Sequence, residues 1–209
     1  RPPIPGSDLN RVFTLWTMPD ALAMKSALSS GNIKTAVIIG AGLIGMEVVE
    51  ALAERGGKVS VVDALSTPLP ALVGEDFGLR IARAVKAKGV DFFGGEKVTE
   101  ITGEGGVVTG VRTDRRSLPA DMVLLAVGIR PNTSLARDAG LELAPNGTIV
   151  VDELMRTSDP SIYAGGDCVS IVNQITGKAG WYPLGSMANR RGRVIGTNLA
   201  GGDAVFPGG

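Results

Sequence analysis

A glycine-rich hexapeptide, Gly40-Ala-Gly-Leu-Ile-Gly45, joins an apolar segment at 36–39 to a run of helix-forming residues at 46–54. The period of the apolar residues predicts a strand before the hexapeptide and a helix after it. Asp63 closes the next predicted strand, about 20 residues downstream. Together these elements predict a βαβ unit that binds a nicotinamide dinucleotide. The alternative is a glycine-rich turn in another kind of α/β sheet, with Asp63 an ordinary acid at a strand end.

The residues of the hexapeptide have separate predicted roles. Gly40 allows the tight turn out of the strand, Gly42 lets the backbone approach the pyrophosphate, and Gly45 lets helix and strand pack closely. The backbone N–H groups at the start of the helix, including those of Leu43 and Ile44, are expected to point at the pyrophosphate.

Asp63 predicts which dinucleotide binds. Its carboxylate is expected to accept hydrogen bonds from the adenosine ribose hydroxyls, and its charge would repel a 2′-phosphate. The residues at 64–67 include no Arg or Lys that could hold such a phosphate. Both observations favour NAD over NADP.

The rest of the first 128 residues is predicted to complete one α/β domain. Apolar periods predict strands at 12–15, 58–63 and 90–93, and helices at 18–28 and 75–88. Between 96 and 128 three strands form a predicted antiparallel meander, at 98–102, 107–113 and 117–127. The last of these ends in Met122-Val-Leu-Leu-Ala-Val127, which is apolar on both faces and is expected to return to the centre of the parallel sheet. The fold class is therefore a Rossmann-like parallel sheet with a β-meander crossover.

Composition excludes several kinds of partner. The 209 residues are 44% apolar, and 21 basic residues balance 21 acidic ones, so no charge excess favours nucleic acid or an anionic membrane. The longest apolar stretch, from Ala36, is interrupted by Glu47 and is too short to span a bilayer. Cys168 is the one cysteine, so no internal disulfide can form, which is typical of a cytoplasmic protein.

Three motifs in order give the chain a family resemblance. They are the hexapeptide extended to Glu47, Ala126-Val-Gly-Ile-Arg-Pro-Asn132, and Thr157-Ser-Asp-Pro-Ser-Ile-Tyr-Ala-Gly-Gly-Asp167. The chain resembles the flavin-dependent pyridine nucleotide-disulfide oxidoreductases over nearly its whole length. The segment 188–201 is most similar to the NADH oxidase and coenzyme A-disulfide reductase branch. The resemblance implies a linker at 1–11, an NAD(H)-binding domain at 12–128, and the C-terminal portion of an FAD-binding domain at 129–209.

The resemblance also implies residues that hold FAD. Asp167 corresponds to an acid that hydrogen-bonds the ribityl or pyrophosphate part of FAD, and Gly166 to a glycine that lets the backbone approach it. The helix expected to begin near Leu184 and Gly185 would aim its N–H groups at the flavin. The alternative role of Asp167 is that of an ordinary acidic residue in a turn, with no part in FAD binding.

Two further candidates lie near the nicotinamide dinucleotide. Gly128, in the second motif, is a candidate cofactor contact. Glu47 is placed in the first helical turn and corresponds to an acid near the nicotinamide. Its alternative role is that of a partner for the helix dipole.

The resemblance implies hydride transfer from NADH to FAD, and from FAD to a disulfide, oxygen or peroxide. The family also has a first FAD-binding glycine motif, a redox-active cysteine and a dimerisation domain, so this chain is expected to be the central part of a homodimeric enzyme and to lack turnover alone. Two alternatives stay open: a ferredoxin- or rubredoxin-type NADH reductase without an active thiol, whose acceptor is a protein, and an NAD-binding module without turnover.

Other reactive side chains are expected to be structural. Cys168 has the wrong context for the active thiol and is expected to be buried. Trp181 and Tyr182 are expected to pack in the interior or between subunits rather than at a flavin edge. Arg190, Arg191 and Arg193 are expected to form a solvated helix face, with a phosphate contact as the alternative.

Overall fold

The computed structural model describes residues 2–209, which form two compact units, one up to Gly128 and one from Ile129 to Gly209. Arg1, the first residue of the predicted linker, lies outside the described residues. The rest of that segment is tied to the first unit, since the Ile101 N–H donates to the Pro5 carbonyl at 2.9 Å. The assignment of the units to NAD(H) and FAD stays a prediction.

The first unit contains eight strands and three helices. In chain order they are β1 (Val12–Thr14), α1 (Met18–Ser29), β2 (Thr35–Ile39), α2 (Leu43–Ala53), β3 (Lys58–Asp63), α3 (Glu75–Ala87), β4 (Asp91–Gly94), β5 (Val98–Glu104), β6 (Val107–Thr113), β7 (Ser117–Pro119) and β8 (Met122–Leu125).

Five strands form a parallel sheet in the order β1-β8-β2-β3-β4. The other three form an antiparallel sheet in the order β5-β6-β7. The predicted fold class, a Rossmann-like sheet with a meander crossover, is confirmed. One detail of the meander was wrong: the predicted strand at 117–127 is two strands, because the chain leaves the meander after Pro119 and enters the parallel sheet at Met122.

Both faces of the parallel sheet are covered, which explains why its strands are continuously apolar. Ile38 and Val61 face one core cluster, where they pack with Val48 of α2. Val37 and Val123 face the other, where they pack with residues of the meander such as Ile101. The meander therefore serves as the cover that a helix supplies in a simple βαβ repeat.

The second unit has little regular structure. Its elements are α4 (Ser134–Asp138), β9 (Ile171–Val172), β10 (Ala179–Gly180) and α5 (Gly185–Leu199). Its core is built on buried Ile149, Met155, Val169 and Phe206. In the part of the chain that the structure describes, no helix is both long and apolar enough to cross a membrane.

Candidate functional site

The glycine loop, residues 40–45, directly follows β2, and packing requires glycine at two of its positions. Gly40 has a φ of +106°, and a Cβ there would overlap the Ala126 carbonyl oxygen beyond β8. A Cβ on Gly45 would overlap the Gly40 carbonyl and lie 3.4 Å from Ile38 Cγ2. The turn and the close approach of α2 to β2 are thus as the sequence predicts.

Gly42 differs from Gly40 and Gly45 because the packing of the protein does not require a glycine at this position. Apart from its own chain neighbours, no atom of residues 2–209 lies within 4 Å of the position its Cβ would take, and its φ of −75° suits any residue. Gly42 is also the N-cap of α2, and no side chain caps this helix. Leu43 and Ile44 are exposed in its first turn. The site therefore offers open space beside backbone N–H groups that lack intrahelical partners, which is where a phosphate group binds.

The Asp63 carboxylate reaches back to this loop. Its Oδ2 accepts from the Ala41 N–H at 2.6 Å, and its Oδ1 accepts from the Leu65 N–H at 2.7 Å. The Ala41 carbonyl in turn accepts from the Leu69 N–H at 2.9 Å. Among residues 2–209 no cation pairs with Asp63, and its bond to Ala41 holds the carboxylate against the glycine loop.

Gly128 follows β8, which lies on the opposite side of β2 from β3. It is exposed and has a φ of +100°. After β2 the chain builds the sheet outward through β3 and β4, and then crosses to place β8 on the other side of β2. Gly40 and Gly128 therefore flank the point where the strand order reverses, which is where ligands bind in open α/β sheets.

The predicted position of Glu47 in its helix was wrong. The helix α2 begins at Leu43 rather than Met46, so Glu47 is exposed in the second turn and no acid lies in the first. Because the dipole acts within the first turn, the alternative role of a dipole partner loses its basis. A contact of Glu47 with the nicotinamide stays a prediction.

In the second unit, two side chains hold the backbone of the Gly-Gly-Asp turn. Arg191 Nη1 donates to the Gly166 carbonyl at 2.6 Å, and Trp181 Nε1 donates to the Asp167 carbonyl at 2.7 Å. Gly166 has a φ of +86°. The exposed Asp167 carboxylate makes no hydrogen bond or ion pair within residues 2–209. A fixed turn that presents a free carboxylate suits recognition of ligand hydroxyls.

The prediction that Arg191 lies on a solvated face was wrong, whereas Arg190 and Arg193 are exposed as expected. Arg191 is 0% exposed, and its Nε and Nη2 have no partner among the described residues. Burial lowers the pKa of the Arg191 guanidinium, and the charge of Asp167 opposes that shift. The sequence carried a signal, because Met187 and Ile195 lie four residues before and after Arg191 and share its face.

The helix α5 begins where the sequence predicts, with Leu184 as N-cap and Gly185 as first helical residue. Both are exposed, and neither a side-chain cap nor an acid occupies this end. Outside its own helix and chain neighbours, no atom of the described residues lies within 4 Å of the position a Gly185 Cβ would take. This end of α5 therefore suits an anionic or electron-rich ligand group.

Cys168 is half-buried, and its thiol donates to the Gly165 carbonyl at 3.3 Å. Burial raises the pKa of this thiol, and the charge of Asp167 raises it further. A thiol with a raised pKa is a poor nucleophile, so the structural role expected for Cys168 fits its surroundings. Trp181 is half-buried and Tyr182 accepts from Asn173 Nδ2 at 2.8 Å.

The parallel sheet, the meander crossover and the glycine loop are the features of an α/β dinucleotide-binding fold. The family model for pyridine nucleotide-disulphide oxidoreductases matches residues 1–190, and the chain belongs to this family. A curated NADH oxidase of Methanocaldococcus jannaschii is 36% identical over 98% of this chain and 45% of its own length.

Solved structures agree with this assignment. A FAD-dependent pyridine nucleotide-disulphide oxidoreductase from Desulfovibrio vulgaris is 50% identical, with a TM-score of 0.90 over 100% of this chain and 53% of its own. A water-forming NADH oxidase from Lactobacillus brevis, bound to NADH, is 33% identical with a TM-score of 0.91 over 100% and 45%. Its engineered NADPH-bound variant is 31% identical, also with a TM-score of 0.91 and the same two coverages. The chain thus spans about half the length of the relatives it matches.

Proposed function

We propose that the first unit binds NAD(H), with the pyrophosphate over Gly42 at the start of α2. The observation that carries this proposal is the open space at Gly42, next to an uncapped helix N-terminus and two glycines that packing requires. Leu43, Ile44 and Gly45 supply N–H groups to the pyrophosphate. Gly128 approaches the dinucleotide from the opposite side of the strand-order reversal.

Asp63 sets a preference for NADH over NADPH in this proposal. The engineered NADPH oxidase replaces a Gly by Ala, the triplet Asp-Ala-Met eighteen positions later by Ala-Arg-Ser, and a Pro five positions beyond that by Arg. This chain has Gly45, then Asp63-Ala64-Leu65 at the same spacing, then Pro70. It therefore carries the residues of the NADH-using parent at four of these five positions, with Leu for Met at the other. Residues 64–67, which follow Asp63, include no Lys or Arg that could bind a 2′-phosphate.

The second unit contributes to FAD binding in the whole enzyme. Asp167 accepts from FAD hydroxyls, Gly166 gives close approach, and the start of α5 at Leu184 and Gly185 faces the flavin. FAD held by these residues would supply the acceptor for a hydride from NADH and would carry the electrons to a small-molecule acceptor such as a disulfide, oxygen or peroxide. The names of the relatives support NADH oxidation in particular.

The test is a fluorescence titration of the 209-residue chain with NADH and with NADPH, followed by an absorbance spectrum after addition of FAD. We expect saturable binding of NADH, tighter than that of NADPH. Tighter binding of NADPH, or no binding of either, would refute the assignment of the first unit. An affinity for FAD that is unchanged by Asp167→Ala would refute the role given to Asp167.

A further inference from the structure

The backbone at Asp63 and Leu65 is hydrogen-bonded to the two residues that follow β4. The Glu96 N–H donates to the Asp63 carbonyl at 3.0 Å, and the Gly95 N–H donates to the Leu65 carbonyl at 2.9 Å. These two bonds continue the β3–β4 pairing past its last residue pair, Asp63 with Gly94. The position of the Asp63 carboxylate therefore depends on where Glu96 is held.

An ion pair with Arg116, whose side chain is half exposed, connects the meander to the buried carboxylate of Glu96. The Glu96 side chain is 3% exposed, and its Oε1 lies 2.8 Å from Arg116 Nη2. Its Oε2 accepts from Arg116 Nε at 3.1 Å and from the Thr113 hydroxyl at 2.9 Å. The Arg116 guanidinium also stacks over Phe93, 4.4 Å from the ring centroid. Bidentate pairing fixes direction as well as distance, so Glu96 has little freedom to move.

We infer that Arg116 and Glu96 are positioning residues for Asp63, and that through them the meander contributes to the choice between NADH and NADPH. This inference rests on the proposed function of the first unit. Neither side chain needs to touch the dinucleotide. Arg116 fixes Glu96, the Glu96 N–H fixes the Asp63 carbonyl, and the carboxylate then meets the ribose hydroxyls at a defined position.

An ion pair to a buried carboxylate would also be explained by stability alone, and the two roles differ in their effect on ligand choice. A loss of stability that leaves the site intact changes the affinity for all dinucleotides equally or not at all. A displaced Asp63 weakens a ligand with a free ribose 2′-hydroxyl more than one with a 2′-phosphate, because the latter gains nothing from the carboxylate. The informative quantity is therefore a ratio of affinities.

The experiment measures the affinity of the 209-residue chain for ADP-ribose and for 2′-phospho-ADP-ribose by calorimetry. Arg116→Met is expected to lower the affinity for ADP-ribose by about three- to tenfold and the preference ratio by a similar factor. The matched control is Arg112→Met, which breaks the exposed pair of Arg112 with Glu100 in the same sheet. The control is expected to leave both affinities unchanged.

Arg116→Met leaves a buried carboxylate without a cation and can prevent folding. Circular dichroism detects that outcome, and the double variant Glu96→Gln/Arg116→Met, which has no buried charge, then takes its place with the same expected result. A folded variant that keeps the parent's preference ratio overturns this inference alone. A parent chain without a preference for ADP-ribose overturns the proposed function and this inference with it.

Discussion

The Asp63 carboxylate is bonded to the Ala41 N–H at 2.6 Å, in the middle of the glycine loop. One acid at the end of β3 therefore both shapes the loop and presents a negative charge beside it. This double role means that a change at Asp63 acts on the loop as well as on the ribose.

Asp63→Ala is expected to weaken NADH binding by about ten- to a hundredfold, since hydrogen bonds to a charged acceptor contribute about 1.5–3 kcal/mol. NADPH should lose less affinity, because removal of the charge also removes repulsion of the 2′-phosphate. Fluorescence titration with both dinucleotides measures the change. Asp63→Asn is the companion variant, because its amide oxygen can still accept from Ala41 while the charge is gone. Equal losses for NADH and NADPH would contradict a role in selection.

Gly42→Val is expected to abolish dinucleotide binding without loss of the fold. The backbone at Gly42 accepts a side chain and the protein leaves space for it, so the collision would be with the pyrophosphate alone. Gly74→Val is a close control, because Gly74 is likewise an N-cap in extended conformation with open space at its Cβ. Titration with NADH and circular dichroism decide the matter: equal affinity in Gly42→Val and Gly74→Val would show that the loop holds no phosphate.

The sequence predicts the sheet and the glycine loop well because both follow from local rules. The helix α3 and strand β3 lie within one residue of their predicted bounds, since both have regular apolar periods. Gly89 follows α3, and Gly57 precedes β3. The predicted start of α2 is three residues too late, because Leu43 and Ile44 stand between glycines and are assigned to the loop from sequence. With Gly42 as N-cap they are helical, which moves Glu47 out of the first turn.

The buried position of Arg191 could not be predicted with the same ease. Three arginines within four residues suggest a charged surface, and only the apolar residues one turn away reveal which of them points inward. Its partner is a backbone carbonyl of Gly166, 25 residues earlier in the chain. Every residue has a backbone carbonyl, so the sequence does not indicate which carbonyl a donor will bind. The same applies to the bond from Trp181 Nε1 to the Asp167 carbonyl and to that from the Glu96 N–H to the Asp63 carbonyl.

The Cys168 thiol is expected to react slowly with a disulfide reagent in the folded chain. Its pKa is raised by burial and by the Asp167 charge, so at pH 8 less of it is thiolate than in an ordinary thiol. The rate of reaction with Ellman's reagent should be about tenfold or more below that of the chain unfolded in urea, and should keep rising above pH ~8.5. Equal rates in the folded and unfolded chain would contradict the structural role.

Asp121 joins the beginnings of β2 and β8, and its contribution to stability should depend on pH. Its carboxylate accepts from the N–H groups of Lys34 and Thr35 and from the Thr35 hydroxyl, each at 2.9 Å. Burial raises the pKa of Asp121, but these hydrogen bonds and the charge of Arg11 outweigh it and lower the pKa below its ordinary value. The ionised form is therefore favoured by folding.

A carboxyl whose pKa is lowered by folding stabilises the protein above its unfolded pKa, which is about 3.9, and loses that contribution as the pH falls through the folded pKa. Asp121→Asn is expected to lower the free energy of unfolding by about 1–3 kcal/mol at pH 7. The difference between parent and variant should shrink once the pH drops below about 4. Urea unfolding at pH 7 and pH 3 measures it, with Asp91→Asn as control, since Asp91 is exposed at the start of β4. A difference that is as large at pH 3 as at pH 7 would show that the ionised carboxylate is not what joins the two strands.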